Sequence, residues 1–245
     1  MSGKVWLIGA GPGDPELLTL KAVRALAEAE VVLIDDLVNP AVLEHCPSAR
    51  MVAVGKRGGC RSTPQDFIHR LMLRYARQGR RVARLKGGDP CIFGRGGEEA
   101  DWLLARGVDC ELVNGITAGL AAATQCGISV TLRGVSRGVT LVTAHTQDDS
   151  PLNWRGLAEG GTTLVVYMGV AKLAEIRDGL LHGGMAASMP VAMIENASLP
   201  NQREYRSQLA DLLEDAQRFA LKSPAILVIG EVAGAAQQAI LARTA

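Results

Sequence analysis

The sequence predicts an α/β fold of two lobes, residues 1–134 and 135–245, with a mostly parallel sheet in the first. Two observations carry this reading. Short apolar runs alternate with segments of helical period from residue 4 to about residue 124. The periodicity then lapses between Gly127 and Gly138, where Arg133, Gly134, Ser136 and Arg137 read as a linker, and a second set of elements follows.

In order, residues 4–8 form a compact apolar strand that runs straight into Gly9-Ala10-Gly11-Pro12-Gly13-Asp14-Pro15. Asp14 suits a helix N-cap, Pro15 the first turn and Glu16 the positive end of the dipole, so a helix is expected from there to about Ala29. Residues 31–34 are the next buried strand and complete a βαβ unit. Residues 51–54 form another strand, ending at Gly55-Lys56-Arg57-Gly58-Gly59. Thr63-Pro64-Gln65-Asp66 reads as a capping box, and its helix places Phe67, Ile68, Leu71, Met72 and Tyr75 on a core face. Strand 82–85 follows, then a glycine-rich loop, a helix over 98–106 with Ala100, Leu103 and Leu104 on one face, and strand 110–113. Asn114-Gly115-Ile116-Thr117-Ala118-Gly119 turns into a helix of small residues. In the second lobe strands are expected at 139–143, 163–167, 191–194 and 225–229, helices at 170–181 and 209–219, and a short extended piece at 203–206.

Composition narrows the function. A net charge of +1 gives no support to nucleic-acid binding by bulk electrostatics. The five cysteines form no CxxC pair and the four histidines show no ligand spacing, so neither a structural metal nor a disulfide framework is expected. No apolar window is long enough to span a membrane, and residues 5–8 are too short for a signal segment. The expectation is a soluble cytoplasmic protein.

The densest stretch is 85–99, with five glycines, one proline, two cations and three acids, leaving a strand and opening a helix. Ligands bind α/β sheets at such places, and glycines let them lie against backbone. With the loops 9–15, 35–38, 55–61 and 114–119, and with 168–169 and 195–197 of the second lobe, it gathers Asp14, Asp35, Asp36, Asp89 and Glu98 with Lys56, Arg57, Arg61, Arg95 and Arg133. The cations suit an anionic substrate, either polycarboxylate or phosphate. Gly9-x-Gly11 also admits a nicotinamide-binding reading with an acid at Asp35 or Asp36, although Asp14 occupies the third glycine position. Neither a Ser-His-Asp arrangement nor a phosphate-loop lysine is present. From the residues alone, the reading stops at a group-transfer or binding protein with a cofactor-sized ligand in an inter-lobe cleft.

Residues 5–21 (Val5-Trp6-Leu7-Ile8-Gly9-Ala10-Gly11-Pro12-Gly13-Asp14-Pro15-Glu16-Leu17-Leu18-Thr19-Leu20-Lys21) resemble the opening signature of the tetrapyrrole methylases. Arg84-Leu85-Lys86-Gly87-Gly88-Asp89-Pro90 with Phe93-Gly94-Arg95-Gly96-Gly97-Glu98-Glu99 resembles their second signature, and Tyr167-Met168-Gly169 and Glu195-Asn196 fit as well. The resemblance covers essentially the whole chain. It implies a mixed sheet in the second lobe, S-adenosyl-L-methionine held between the lobes and leaving as S-adenosyl-L-homocysteine, no metal, and a homodimer. Val54-Gly55-Lys56-Arg57 and Asn114-Gly115-Ile116-Thr117-Ala118 resemble most the members that methylate uroporphyrinogen III at C-2 and C-7 to give precorrin-2, which feeds sirohaem, cobalamin or haem d1. A later corrinoid or a diphthamide-type substrate on the same fold is the nearest alternative.

The family's cofactor positions fall on Pro12, Gly87, Gly88, Asp89, Ile92, Thr117, Ala118, Met168 and Ala197, with Ala225 on the adenine side. Ala197 stands where relatives often have Gly. The family's proton acceptor and donor fall on Asp35 and Lys56, and Asp36 stands where relatives commonly have Arg. Arg95, Glu98 and Arg133 are expected to grip the substrate carboxylates through charge-assisted bonds. Arg95 could instead orient or relay the proton, and Arg95 with Glu98 could equally be a helix-start ion pair. The loop thus divides into residues 87–92 for the methyl donor and 95–98 for the macrocycle.

Overall fold

The computed structural model describes residues 3–55, 63–145, 150 and 152–234, and the chain divides into two compact units, Met1–Ala118 and Gly119–Ala245. This division falls ahead of the expected one at residue 134.

The first unit is built on five strands: β1 (Lys4–Gly9), β2 (Val31–Ile34), β3 (Arg50–Ala53), β4 (Val82–Lys86) and β5 (Asp109–Val113). They form one all-parallel sheet in the order β3-β2-β4-β1-β5. Both faces are covered, as a parallel sheet requires, and the side chains of β1 show it by alternating. Trp6 and Ile8 join Leu26, Ala83 and Leu85 under helix α1 (Leu20–Glu28). Val5 and Leu7 join Ile68, Met72 and Leu103 under helices α2 (Gln65–Arg77) and α3 (Gly96–Leu104).

The expected first βαβ unit is altered in one respect: β4 lies between β1 and β2, so the two strands are parallel but do not pair. The dinucleotide-binding order 3-2-1-4-5 is therefore absent, and with it the structural basis for a nicotinamide reading.

Several local expectations are corrected. Asp14 does cap, accepting from Glu16 N at 2.9 Å, but it caps a single 3-10 turn, Pro15–Leu17. Leu18 and Thr19 are then extended, and α1 has its own cap in the Thr19 hydroxyl, which accepts from Ala22 N. The capping box at Thr63 does not form. Pro64 occupies the cap position, which puts Thr63 outside the helix, and its hydroxyl donates to the Gly55 carbonyl. Phe67 and Leu104 are more than half exposed, because each sits one step off its helix's buried stripe. A 3-10 stretch at Pro40–His45, capped by the Asn39 side chain, had no periodic signal to announce it.

The second unit holds a mixed five-stranded sheet in the order β6-β7-β10-β8-β9: β6 (Val139–Thr143), β7 (Thr163–Tyr167), β8 (Pro190–Glu195), β9 (Arg203–Gln208) and β10 (Ala225–Ile229). Only β6 and β7 are parallel. One face packs Val166, Met193 and Leu227 against Ile176 and Leu180 of helix α6 (Leu173–His182) and Leu212 of α7 (Leu212–Arg218). Helix α4 (Ala118–Gln125) meets β7 so closely that Gly119 N donates to the Tyr167 hydroxyl at 2.9 Å. The short helix α5 (Trp154–Glu159), capped by Asn153, also escaped the periodicity.

Candidate active site

Because the first sheet is wholly parallel, the loops after all five strands leave from one edge. The chain departs β1 into α1 on one face and departs β4 into α3 on the other, so the adjacent β1 and β4 ends are a switch point of the kind where such sheets bind ligands. Backbone meets backbone here. Ala10 N donates to the Lys86 carbonyl at 2.7 Å, and Gly11 and Gly88 exchange two hydrogen bonds of 3.1 and 2.7 Å. A Cβ on Gly9 would lie 2.5 Å from Gly115 N and 2.6 Å from Gly88 O, which glycine alone avoids. Gly88 has φ of +69°, and a Cβ built there would be in van der Waals contact with Ala118 N at 3.6 Å and Thr117 Cα at 3.7 Å. Glycine leaves the main chain at this junction of three strand-end loops without a side chain over it.

Asp89, buried next to Gly88, is already engaged. Its Oδ1 accepts from Cys91 N at 2.8 Å, and its Oδ2 from Gly115 N at 3.0 Å and the Asn114 amide at 3.5 Å. It ties the β4 and β5 loops together, so a ribose hydroxyl would have to share these oxygens.

Beyond Asp89 the loop turns tightly. Phe93 and Arg95 adopt φ of 53° and 60°, and Gly96 N donates to the Pro90 carbonyl at 2.8 Å. Such backbone in non-glycine residues is costly and tends to mark functional segments. Helix α3 begins here, two residues before the expected start. Arg95 Nε and Nη2 donate to Glu98 Oε2 at 3.0 and 2.7 Å. This is the helix-start ion pair. It holds Glu98 below the usual carboxylate range and pushes Arg95 up, while both side chains remain solvent-exposed and able to exchange partners.

Under the same edge lies a charge cluster that sequence reasoning missed. Arg84 and Lys86 point to the α2–α3 face of β4 and are 1% and 5% exposed. Arg84 Nη2 donates to Asp35 Oδ2 at 2.9 Å, and its Nε lies 3.5 Å from Glu99 Oε1. Lys86 Nζ reaches Glu99 Oε1 at 3.1 Å and Asp35 Oδ2 at 3.8 Å. The Gln65 amide donates to Glu99 at 2.7 Å and meets His69 Nε2 at 3.1 Å. Burial, then the charge of Arg84, drives the Lys86 pKa down. Burial likewise lowers His69, which stacks on Trp102. The available signal was two cations two residues apart in an otherwise apolar buried strand, a pattern that demands buried anions.

In the second unit the ends of β7 and β8 and the start of β10 share one edge of the sheet, since Ala225 pairs with Glu195. Met168 there is half exposed with φ of 55°, Ala197 is buried after Asn196 at φ 49°, and Ala225 is buried. Arg133 is exposed in the turn between Leu132 and Ser136. The structure thus places Pro12, Asp35, Gly87, Gly88, Asp89, Ile92, Arg95 and Thr117 in loops at the C-terminal edge of the first sheet, Glu98 and Ala118 in the first turns of α3 and α4 that those loops open, and Met168, Ala197 and Ala225 on one edge of the second sheet. Lys56 lies outside the described residues. Among the described residues no group of three or more His, Cys, Asp or Glu is placed to hold a metal ion, and no helix is long and apolar enough to cross a membrane.

Residues 4–213 match the model of the tetrapyrrole (corrin/porphyrin) methylases. The chain belongs to that family. Among similar methylases is a uroporphyrinogen-III C-methyltransferase of Pseudomonas aeruginosa, 79% identical over 232 residues and 95% of each chain. Another of the same name, from Pseudomonas fluorescens, is 77% identical over 98% of this chain and 97% of its own. A solved methylase, the uroporphyrin-III C-methyl transferase of Thermus thermophilus complexed with S-adenyl homocysteine, superposes with a TM-score of 0.82 at 43% identity. It covers 94% of this chain and 98% of its own.

Proposed function

We propose that the protein is an S-adenosylmethionine-dependent methyltransferase that methylates uroporphyrinogen III at C-2 and C-7, by way of precorrin-1, to give precorrin-2 for sirohaem, cobalamin or haem d1. The observation that carries the reading is the 79% identity over 95% of both chains to a uroporphyrinogen-III C-methyltransferase. The homologue complexed with S-adenyl homocysteine supports the choice of methyl donor.

Bound in the protein, the donor supplies a methyl group on a sulfonium, open to in-line attack by a pyrrole carbon. The residues of this chain fit such a ligand. Gly88 offers main chain without a side chain over it, next to Thr117 and Ala118. Pro12, Gly87, Asp89 and Ile92 belong to the same strand-end loops. Holding two reactants in line is most of what a displacement needs, and a rigid backbone cradle does that. Each methylation also releases a proton from a bridge carbon, and Asp35 is the proposed acceptor, with Lys56 as donor. Arg95, Glu98 and Arg133 bind the substrate's carboxylates. For the first two this means exchanging the Arg95–Glu98 pair for ligand contacts, which their exposure permits. The enzyme is proposed to act as a cytoplasmic homodimer.

The test is incubation with uroporphyrinogen III and methyl-labelled S-adenosylmethionine, counting methyl groups per product. Two per macrocycle are expected. Absence of label in uroporphyrinogen III with transfer to a later corrinoid would move the protein to another branch of the family.

A further inference from the structure

Asp35 is held from beneath by groups that none of the site assignments above includes. It follows the last residue of β2, and its backbone N donates to the Leu85 carbonyl at 3.2 Å, so its main chain is fixed to β4. Arg84, on the same β4, sends Nη2 to Asp35 Oδ2 at 2.9 Å and Nη1 to the Leu85 carbonyl at 3.3 Å. Lys86 approaches the same Oδ2 at 3.8 Å. Among the described residues both ion pairs of Asp35 therefore fall on one oxygen, Oδ2. The Asp35 side chain is 33% exposed, whereas Arg84 is sealed at 1%.

Two buried cations need two anions at hand. Glu99, 0% exposed, supplies one, and Asp35 supplies the other. Arg84 is in turn kept from turning away: its Nε faces Glu99 Oε1 at 3.5 Å, and Lys86 lies 3.1 Å from that same oxygen. A planar guanidinium fixed at more than one end holds a carboxylate in a single orientation, which a flexible ammonium does not.

We propose that Arg84 is a positioning residue for the methylation, its buried guanidinium setting the orientation of the Asp35 carboxylate while Glu99 and the Leu85 carbonyl hold Arg84 in place. The proposal rests on Asp35 being the proton acceptor, as given above. It gives the buried half of the second family signature a part in the chemistry rather than only in the fold.

The experiment compares Asp35→Asn, Arg84→Met, Arg84→Lys and the Asp35→Asn/Arg84→Met double variant in methyl transfer to uroporphyrinogen III. S-adenosylhomocysteine affinity is measured alongside by calorimetry. Misplacing a general base costs on the order of 10²-fold in turnover. Arg84→Met should therefore lower kcat about 100-fold with KM and S-adenosylhomocysteine affinity within about threefold of wild type, and Arg84→Lys should restore part of the loss. In the double variant the Arg84 change should add little to Asp35→Asn, because the two act as one unit. Multiplying losses, or an Arg84→Met enzyme with normal kcat, would overturn the proposal. Should Arg84→Met fail to fold, Arg84→Lys decides alone: lowered kcat at unchanged KM supports the proposal, and wild-type kcat overturns it. Full activity in Asp35→Asn would instead remove the assignment of Asp35 itself.

Discussion

Glu99 is the residue whose removal the structure makes most costly. It is fully buried, and its Oε1 receives the Gln65 amide at 2.7 Å and Lys86 at 3.1 Å, with Arg84 Nε at 3.5 Å. Replacing it with Leu keeps the volume but leaves two buried cations facing Asp35, which is itself one-third exposed. Removing one partner of a buried ion pair costs about 3–5 kcal/mol, because the remaining charge stays desolvated and unpaired. For a chain of this size that is a fall of roughly 6–20 °C in the midpoint of thermal unfolding. The informative control is Glu99→Leu/Lys86→Met, which removes a cation along with the anion and leaves Arg84 its partner in Asp35. Replacing a whole buried pair with apolar groups is often nearly neutral, so the double variant should recover most of the loss. Calorimetric or circular-dichroism melts of wild type, single and double variants decide the matter. A single variant within about 1 kcal/mol of wild type, or a double variant less stable than Glu99→Leu, would refute the reasoning that the network is held by charge balance.

Other outcomes follow from the same geometry. Burial and Arg84 depress the Lys86 pKa, so charging it in the folded state carries a cost that is full below the depressed value and fades as pH rises toward 10.5. Wild type should thus gain on Lys86→Met across that window in urea midpoints measured at increasing pH, and a flat difference would contradict it. Glu111 is held down to about 2 by hydrogen bonds from Lys21 and Lys4, so its contribution is complete above 4.5 and is lost as pH falls toward 2. Glu111→Gln should cost about 1 kcal/mol at pH 7, as for a partly exposed pair, and nothing near pH 2. Arg95→Ala should lose at least about 100-fold in turnover while binding S-adenosylhomocysteine normally, since its pair with Glu98 is exposed and contributes little to the fold. Asp89→Ala removes the acceptor of Cys91 N and Gly115 N, so S-adenosylhomocysteine affinity should fall along with stability by about 1–3 kcal/mol, both read by calorimetry.

Strands were the most legible elements, because β1, β7 and β10 are short, almost wholly apolar runs with no competing period. Their order was not legible. No local property of residues 82–86 announces that they will lie between β1 and β2, since pairing is decided by crossover and packing over the whole sheet. The glycine loops announced themselves through composition, but what Asp89 does with its two oxygens depends on Gly115 and Asn114, distant in sequence. Arg84, Lys86 and Glu99 were hidden for the opposite reason. Charged residues at strand and helix positions read as solvated unless their partners are known, and these partners lie on three different elements.

The placement of β4 also bears on how the chain acquires its shape. Both neighbours of β1, β4 and β5, are synthesised after residue 81, so β1 waits with Val5, Trp6, Leu7 and Ile8 unpaired while β2, β3 and two helices are made. Non-local closure of this kind is slow, because loop entropy is lost before any contact repays it. The two halves of the first sheet are thus joined at its middle, by a strand arriving late between two that preceded it. The Gly11–Gly88 bridge can form only with that arrival. Nascent chains shorter than about ninety residues therefore hold the β1 loop without its counterpart, and the joined β1 and β4 loops and the pairing of β1 come into being in one step.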